Sequence, residues 1–357
     1  MKFLHAADLH LRGADATEQL EALRAIVRVA AEQKVDFLLF AGDLFDSDHD
    51  ADRLRSQVRE IFNQTYCPTV LVPGNHDARS YAPTADYGEK ALPAQQRLQI
   101  FENLGELTLV CLPYREGAAF ANYRDELARL KGPVVVCCHG TLFLDQWLGW
   151  LREEKEDVGD YFPVYPEDLK GLPIRYLAMG HFHKRFYQTV EPVPCCYPGS
   201  AFPVTARELG PRSVALVQLE GDQPAQVRAI PLEKVPWYQE ISLKSLPWRE
   251  EEMLAELEQS LAGLDPQARP VVSVRGYARD ERGLRERLGK RLEKLGAPRP
   301  RVELSDYSRL LENSFYRMFV EELGQEAPEG DQEERAVSEK ALEIITHGFS
   351  RLQKGSR

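Results

Sequence analysis

Phe37-Leu-Leu-Phe-Ala41, followed by Gly42-Asp43-Leu-Phe-Asp46, is the stretch from which the rest of the chain can be read. An unbroken apolar run of this length fits a strand covered on both faces, and the Gly-Asp after it falls on a strand-end loop. The pattern recurs four times. Phe3-Leu-His-Ala6 leads to Asp8-Leu-His10, Thr69-Val-Leu-Val72 to Gly74-Asn75-His76-Asp77, Val134-Val-Val-Cys-Cys138 to His139-Gly140, and Tyr176-Leu-Ala-Met179 to Gly180-His181-Phe-His183. Loops leaving one edge of a sheet can converge, because the chain between them only sets the distance. Five of the chain's eight histidines sit in these motifs, too uneven a use of a scarce residue for chance.

The residue types in the motifs are those of a divalent-metal site. Asp8 and His10, two apart on an extended segment, project to the same side and can grip one ion together. Gly42 gives backbone room at a tight strand exit. Asn75 offers a neutral carbonyl oxygen, which binds a cation without adding negative charge beside a phosphate. Hard oxygens mixed with imidazoles suit manganese, iron or zinc rather than calcium. Two such ions about 3.5–4 Å apart are a known solution to phosphodiester cleavage.

At 357 residues the chain can hold two to three domains, with a hydrophobic fraction ordinary for a globular protein. The start, Met1-Lys-Phe-Leu-His-Ala-Ala-Asp8, does not read as a signal peptide, and no segment has the apolar length of a membrane span, so a cytoplasmic location is expected. The six cysteines, with Cys137/Cys138 and Cys195/Cys196 adjacent, lack C-x-x-C spacing and read as buried, reduced thiols. A net charge of -11 argues against coating nucleic acid through a global field, but not against a local basic track.

Up to about Ala206, strand-like runs alternate with helical spacing at Thr17–Gln33 and Asp50–Gln64, with Thr17 as expected N-cap. Ser213–Leu219 and Gln226–Ile230 read as a hairpin. This order predicts an α/β layered sandwich. After a boundary at Pro231–Trp237, strands at Tyr238–Leu243, Val271–Val274 and Arg301–Leu304 alternate with helices at Glu250–Leu261 and Glu281–Leu295, which predicts a small α+β domain. Two tail helices are expected at Tyr307–Leu323 and Glu333–Arg351, joined by the acidic linker Gln325–Asp331.

In order, spacing and residue type, the five motifs resemble those of the calcineurin-like metallophosphoesterases. Phe3-Leu-His-Ala-Ala-Asp-Leu-His-Leu11 and Tyr197-Pro-Gly-Ser200 look more narrowly like SbcD-type DNA repair nucleases, including the YhaO-like branch. The resemblance implies a four-layer α-β-β-α sandwich of mixed sheets over residues 1–232, an α+β capping domain over 236–305 and a helical segment over 306–357. It implies a first metal held by Asp8, His10, Asp43 and His183, and a second held by Asp43, Asn75, His139 and His181. A hydroxide bridging the two ions would attack the phosphorus in line. His76 would stabilise or protonate the leaving oxygen, with Asp77 orienting its imidazole. The activity implied is that of a DNA exonuclease or endonuclease using two divalent ions, Mn2+ first and Fe2+ or Zn2+ as alternatives. The partners implied are DNA, an SMC-like ATPase of the SbcC type and a second copy of the chain. A phosphodiesterase or phosphatase for small nucleotides is the competing reading, and a weakly catalytic DNA- and ATPase-binding scaffold is a third. The chain departs from the SbcD pattern after Asp46, where Ser-Asp-His-Asp-Ala-Asp52 lacks the usual Pro-Ser, and at Arg175, where an acidic residue is common.

Outside the motifs, His5 reads as a core histidine, His49 as a solvated loop residue, and His347 as remote in the final helix. Asp46 either caps its loop or supports a ligand. Residues 269–301 carry eleven basic side chains against four acidic ones. Arg279, Arg282, Arg285 and Lys290 there could track a DNA backbone, or form ion pairs along a solvated helix such as Glu286 with Lys290. Phe143, Trp147, Trp150, Tyr161, Phe162 and Tyr165 read as packing on the sandwich, with base stacking or pairing with another protomer as the alternative. The tail's apolar residues, Leu310, Leu311, Phe315 and Phe319, then Ala341, Leu342, Ile345 and Phe349, either pack on the body or dock the ATPase.

Overall fold

The structure is a computed structural model of the full chain. It describes residues 1–13, 15–102, 104, 108–132, 134–153, 159, 161–221, 223–296, 300–306, 312, 314–322, 340–341 and 344–346. The chain forms two compact units, Met1–Tyr238 and Gln239–Arg357.

The first unit is built on two six-stranded mixed sheets. The first sheet contains β1 (Lys2–Ala6), β2 (Phe37–Ala41), β3 (Thr69–Val72), β4 (Ala91–Pro93), β11 (Ser213–Gln218) and β12 (Gln226–Pro231), in the order β12-β11-β1-β2-β3-β4. The second contains β5 (Gln99–Phe101), β6 (Thr108–Leu112), β7 (Val134–His139), β8 (Ile174–Gly180), β9 (Phe186–Val190) and β10 (Val193–Tyr197), in the order β5-β6-β7-β8-β10-β9. Strands β1 to β4 are parallel neighbours, as are β6, β7, β8 and β10. The hairpin expected at Ser213–Ile230 is the antiparallel pair β11–β12.

Strand alternation explains why the runs are apolar throughout. Phe3, Phe37, Leu39, Ala41, Val70 and Val72 of the first sheet share one core with Leu109, Cys111, Val135, Cys137, Tyr176 and Ala178 of the second. Their neighbours point outward. Leu4, Leu38, Phe40 and Leu71 pack under α1 (Thr17–Gln33) and α2 (Asp48–Phe62), whose Leu23, Ile26, Leu54 and Val58 face them. Val134, Val136, Leu177 and Met179 pack with Leu127 of α3 (Arg124–Ala128), Leu148 and Leu151 of α4 (Asp145–Glu153) and Leu169 of α5 (Pro166–Leu169). Three cores between four layers make an α-β-β-α sandwich. Cys137 and Cys138 therefore face different cores, and all six cysteines are buried free thiols.

Two helix starts differ from expectation. Thr17 is the first residue of α1, not its cap: Ala16 holds that place, and the Thr17 hydroxyl donates instead to Asp15 Oδ1 at 2.7 Å. Helix α2 begins at Asp48, two residues early, because Ser47 Oγ caps it by accepting from the Asp50 amide, with Asp48 and Asp50 favourable to the helix dipole. His49 thus lies exposed in a helical turn rather than a loop.

The three-stranded sheet of the second unit runs β13-β14-β15, with β13 at Trp237–Ser245, β14 at Ala268–Ala278 and β15 at Arg301–Asp306. Met253, Leu254 and Leu257 of α6 (Glu250–Ala262) and Leu284, Leu288 and Leu292 of α7 (Glu281–Lys294) close a core over Ile241, Leu243, Val272 and Val274. A further helix, α8, spans Ser314–Glu322. The linker at 325–331, and Leu310, Leu311, Leu342, His347 and Phe349, lie outside the described residues. Among the described residues no helix is long and apolar enough to cross a membrane.

Candidate metal centre

The five motif loops leave the carboxyl ends of β1, β2, β3, β7 and β8, where ligand sites of open α/β sheets form. Backbone bonds draw them together. The Asp8 amide donates to Gly42 O at 3.1 Å, and the His10 amide to Asp43 O at 3.0 Å. The His76 amide donates to Asp43 Oδ1 at 3.0 Å, and the His181 amide, from the other sheet, to Asp8 Oδ1 at 3.0 Å.

The convergence has a local cost. Asp8, His10, Asp43 and His181 all have positive φ, at 53°, 49°, 51° and 112°. Side-chain-bearing residues adopt such backbone at a cost of about 1–3 kcal/mol each, which the surrounding fold must over-determine. Gly42, at φ 93°, tolerates it freely, and an added Cβ would lie 2.1 Å from His139 Nδ1. Gly74 is bound by space alone: a Cβ there would lie 2.1 Å from Asp43 Oδ1.

Four of the motif imidazoles are held by an oxygen that fixes the tautomer. His139 Nδ1 donates to Ala41 O at 2.8 Å, and a carbonyl can only accept, so the proton is on Nδ1. His76 Nδ1 donates to Asp46 O at 3.0 Å by the same logic. His10 Nδ1 meets the Asp46 carboxylate at 2.9 Å, and His183 Nδ1 meets Glu208 Oε1 at 3.2 Å. In every case Nε2 is left as the atom offered onward.

Those offered atoms converge on one another. His10 Nε2 lies 3.1 Å from His183 Nε2 and 3.7 Å from Asp43 Oδ2. His139 Nε2 lies 3.0 Å from Asn75 Oδ1 and 3.3 Å from Asp43 Oδ2. Three groups bring ligand atoms within 4.8 Å: Asp8, His10 and His183; His10, Asp43 and His76; and Asp8, Asp43 and His139. Atoms this close need either a shared proton or a cation between them, and divalent ions can take the proton's place. Buried oxygen and imidazole donors in overlapping groups, with Asp43 in two, fit a pair of divalent ions.

The electrostatics agree. Burial pushes Asp8 up to about 7, with the Asp43 charge adding to it. Burial also opposes ionisation of Asp43, but the His139 charge outweighs it and holds the carboxyl well below the usual range. Burial lowers the basicity of His139, yet Asp43 and Asp8 together raise it to about 9. The buried carboxylates thus hold a proton on His139 where no other cation compensates them.

Not every expected role matches the geometry. Asp77 does not orient His76. Its carboxylate is fully buried and accepts from the Gly74 amide (2.8 Å), the Phe45 amide (3.2 Å) and the Tyr81 hydroxyl (2.8 Å), tying the Gly42 and Gly74 loops together. Asp46 takes the orienting task, its carbonyl on His76 and its carboxylate on His10. The His181 ring sits beside the cluster, its centroid 5.5 Å from that of His139 and 4.8 Å from that of Tyr161. His5 is a core histidine, its Nδ1 3.0 Å from the Tyr176 hydroxyl.

The aromatic segment mostly packs. Phe162 is buried, Phe143 and Trp147 join the outer core of the second sheet, and Phe143 stacks on Tyr165 at 4.8 Å. Of the basic residues in α7, Arg285 pairs with Glu281 at 2.9 Å and Lys290 with Glu286 at 2.7 Å. Arg279 precedes α7, its amide donating to Glu250 Oε1, and Arg282 lies in the first turn of α7. Glu208 was not legible beforehand. It lies 25 residues from His183 with no metal-motif spacing, although Tyr197-Pro-Gly-Ser200 marks the loop that meets it.

Comparison with known proteins places this geometry in a family. The family model for calcineurin-like phosphoesterases matches residues 1–185, just over half of the chain. An uncharacterised metallophosphoesterase of Bacillus subtilis, YhaO, is 24% identical over 247 residues, covering 61% of this chain and 57% of its own. The DNA double-strand break repair protein Mre11 of Aeropyrum pernix is 26% identical over 254 residues, covering 62% of this chain and 59% of its own. The match thus spans somewhat under three fifths of the length of both curated relatives. A dimetal phosphatase from Danio rerio aligns over 65% of this chain and 99% of its own, at 11% identity and a TM-score of 0.41. The chain belongs to the calcineurin-like phosphoesterase family.

Proposed function

We propose that this phosphoesterase is a metal-dependent DNA nuclease, with manganese as the working ion. The observation that carries the reading is the cluster of mutually facing acceptors around Asp43. Asp8, His10, Asp43 and His183 would hold one ion, and Asp43, Asn75 and His139, with His181 beside them, a second. Divalent ions there supply positive charge to the phosphate oxygens and lower the pKa of water. The protein's own part is orientation and proton transfer. His76 is exposed where His10 and Asp43 beside it are buried, with Nδ1 fixed on Asp46 O, so Nε2 can pass a proton to a leaving oxygen. Its amide bond to Asp43 Oδ1 couples that imidazole to the bridging carboxylate.

DNA as substrate is supported by the likeness to proteins named for double-strand break repair. An SMC-like ATPase partner and a homodimer belong to the same proposal. The ion pairs of Arg285 and Lys290 favour a second reading, in which the substrate is a small nucleotide diester needing no backbone track. The test is turnover with Mn2+ on linear duplex DNA, single-stranded DNA and bis-p-nitrophenyl phosphate, with His76→Ala as control. DNA degradation lost in the control is the expected result. Cleavage of the small diester alone would replace the nuclease reading by the second one.

A further inference from the structure

The Tyr197-Pro-Gly-Ser200 turn and Glu208 have no part in the chemistry above, yet they sit directly behind one candidate ligand. Glu208 is 2% exposed, and its carboxylate is saturated with donors. Oε1 accepts from the Thr205 amide at 2.9 Å and lies 3.2 Å from His183 Nδ1. Oε2 accepts from the Ser200 hydroxyl at 2.5 Å and the Val204 amide at 3.2 Å. Arg212, also buried, donates to Ser200 Oγ at 3.1 Å and lies 3.5 Å from Glu208 Oε2. The Arg212 guanidinium is itself fixed by Leu209 O and Gly210 O. The Ser200 amide donates to His183 O at 3.1 Å, so the turn holds the backbone of His183 while Glu208 meets its ring.

This is more than loop closure. A buried carboxylate needs compensation, which the Arg212 charge and three N–H or O–H donors could supply alone. Facing it toward His183 Nδ1 adds a polarised hydrogen bond that leaves Nε2 more basic. His139 has only a neutral carbonyl behind it, at Ala41. His183 and His139 are therefore supported unequally.

We propose that Glu208, braced by Ser200 and Arg212, is a positioning residue that locks His183 in the Nδ1-protonated tautomer. It thereby sets the metal affinity of the position formed by Asp8, His10 and His183, independently of the position around Asn75 and His139. The proposal rests on the reading of the cluster as a metal centre. The test is Mn2+ titration of metal-free wild type, Glu208→Gln and Ser200→Ala, with 15N NMR of the histidine rings before metal is added. In wild type, two binding steps and a His183 signal protonated on Nδ1 are expected. Glu208→Gln should weaken one step by about 10- to 100-fold, leave the other unchanged and lose the single tautomer. Ser200→Ala should weaken the same step to a smaller degree, and it decides the matter if Glu208→Gln does not fold. A merely structural role would weaken both steps together and leave the tautomer intact, and that result overturns the proposal. Both variants matching wild type in both readouts would also overturn it. Wild type binding no manganese would instead refute the metal reading beneath it.

Discussion

Filling the centre should displace protons from Asp8 and His139. With Asp8 raised to about 7 and His139 to about 9, both are protonated in the metal-free protein at pH 6. Asp43 is already ionised. An ion can be bound only after Asp8 and His139 Nε2 lose their protons, so loading should release about two protons per chain at pH 6. At pH 8 Asp8 is mostly ionised, and release should fall to about one. The sign follows from competition: a proton held more tightly by the free site is a stronger rival to the metal. Affinity should therefore rise with pH, by up to about 100-fold per unit near pH 6 and about tenfold per unit near pH 8. Calorimetric titration with Mn2+ at both pH values, in buffers of differing ionisation enthalpy, counts the protons directly. Binding without proton release at pH 6, or an affinity flat from pH 6 to 8, would refute the electrostatic account of Asp43 and His139.

Further outcomes follow from single contacts. Asp43→Ala should abolish binding at both metal positions, since Asp43 Oδ2 faces both His10 and His139; metal analysis showing one ion retained would contradict its bridging role. Gly42→Ala should lower activity at least 100-fold, because the new Cβ must push the His139 ring from a place only 2.1 Å away, and displacements near 1 Å already cost about that much. Wild-type kinetics in that variant would count against the ring position. Asp77→Ala should destabilise the protein by about 2–4 kcal/mol, since it strands the Gly74 and Phe45 amides and the Tyr81 hydroxyl in the interior. Thermal denaturation reads the effect, and an unchanged melting temperature would deny Asp77 its place as a loop tie.

The strands that carry the motifs were legible because each is an apolar run buried on both faces and ends in a Gly or Asp turn, as at Phe37–Asp43. Strands β9 and β10 were not, because Phe186–Val190 is an exposed edge and Pro194 interrupts the apolar pattern of its partner. Asp8, His10, Asp43, Asn75 and His139 could be named from spacing and resemblance, since short loops from parallel strands leave few places for them to go. The supporting layer could not. Asp77 and Asp46 differ little in sequence context, and only the fold shows that Asp46 turns its carbonyl to His76 while Asp77 points inward. Glu208 escaped for the same reason: its link to His183 is made across a loop that no periodicity encodes. The basic count over 269–301 overstated free charge, because local acids on α7 take up Arg285 and Lys290.

The most direct test of a two-ion centre is the paramagnetic resonance spectrum of metal-free protein titrated with Mn2+. Two bound ions per chain are expected, with a spin-coupled signal growing in as the second equivalent is added. Uptake of a single ion with an isolated Mn2+ spectrum, or no uptake at all, would contradict a two-ion centre.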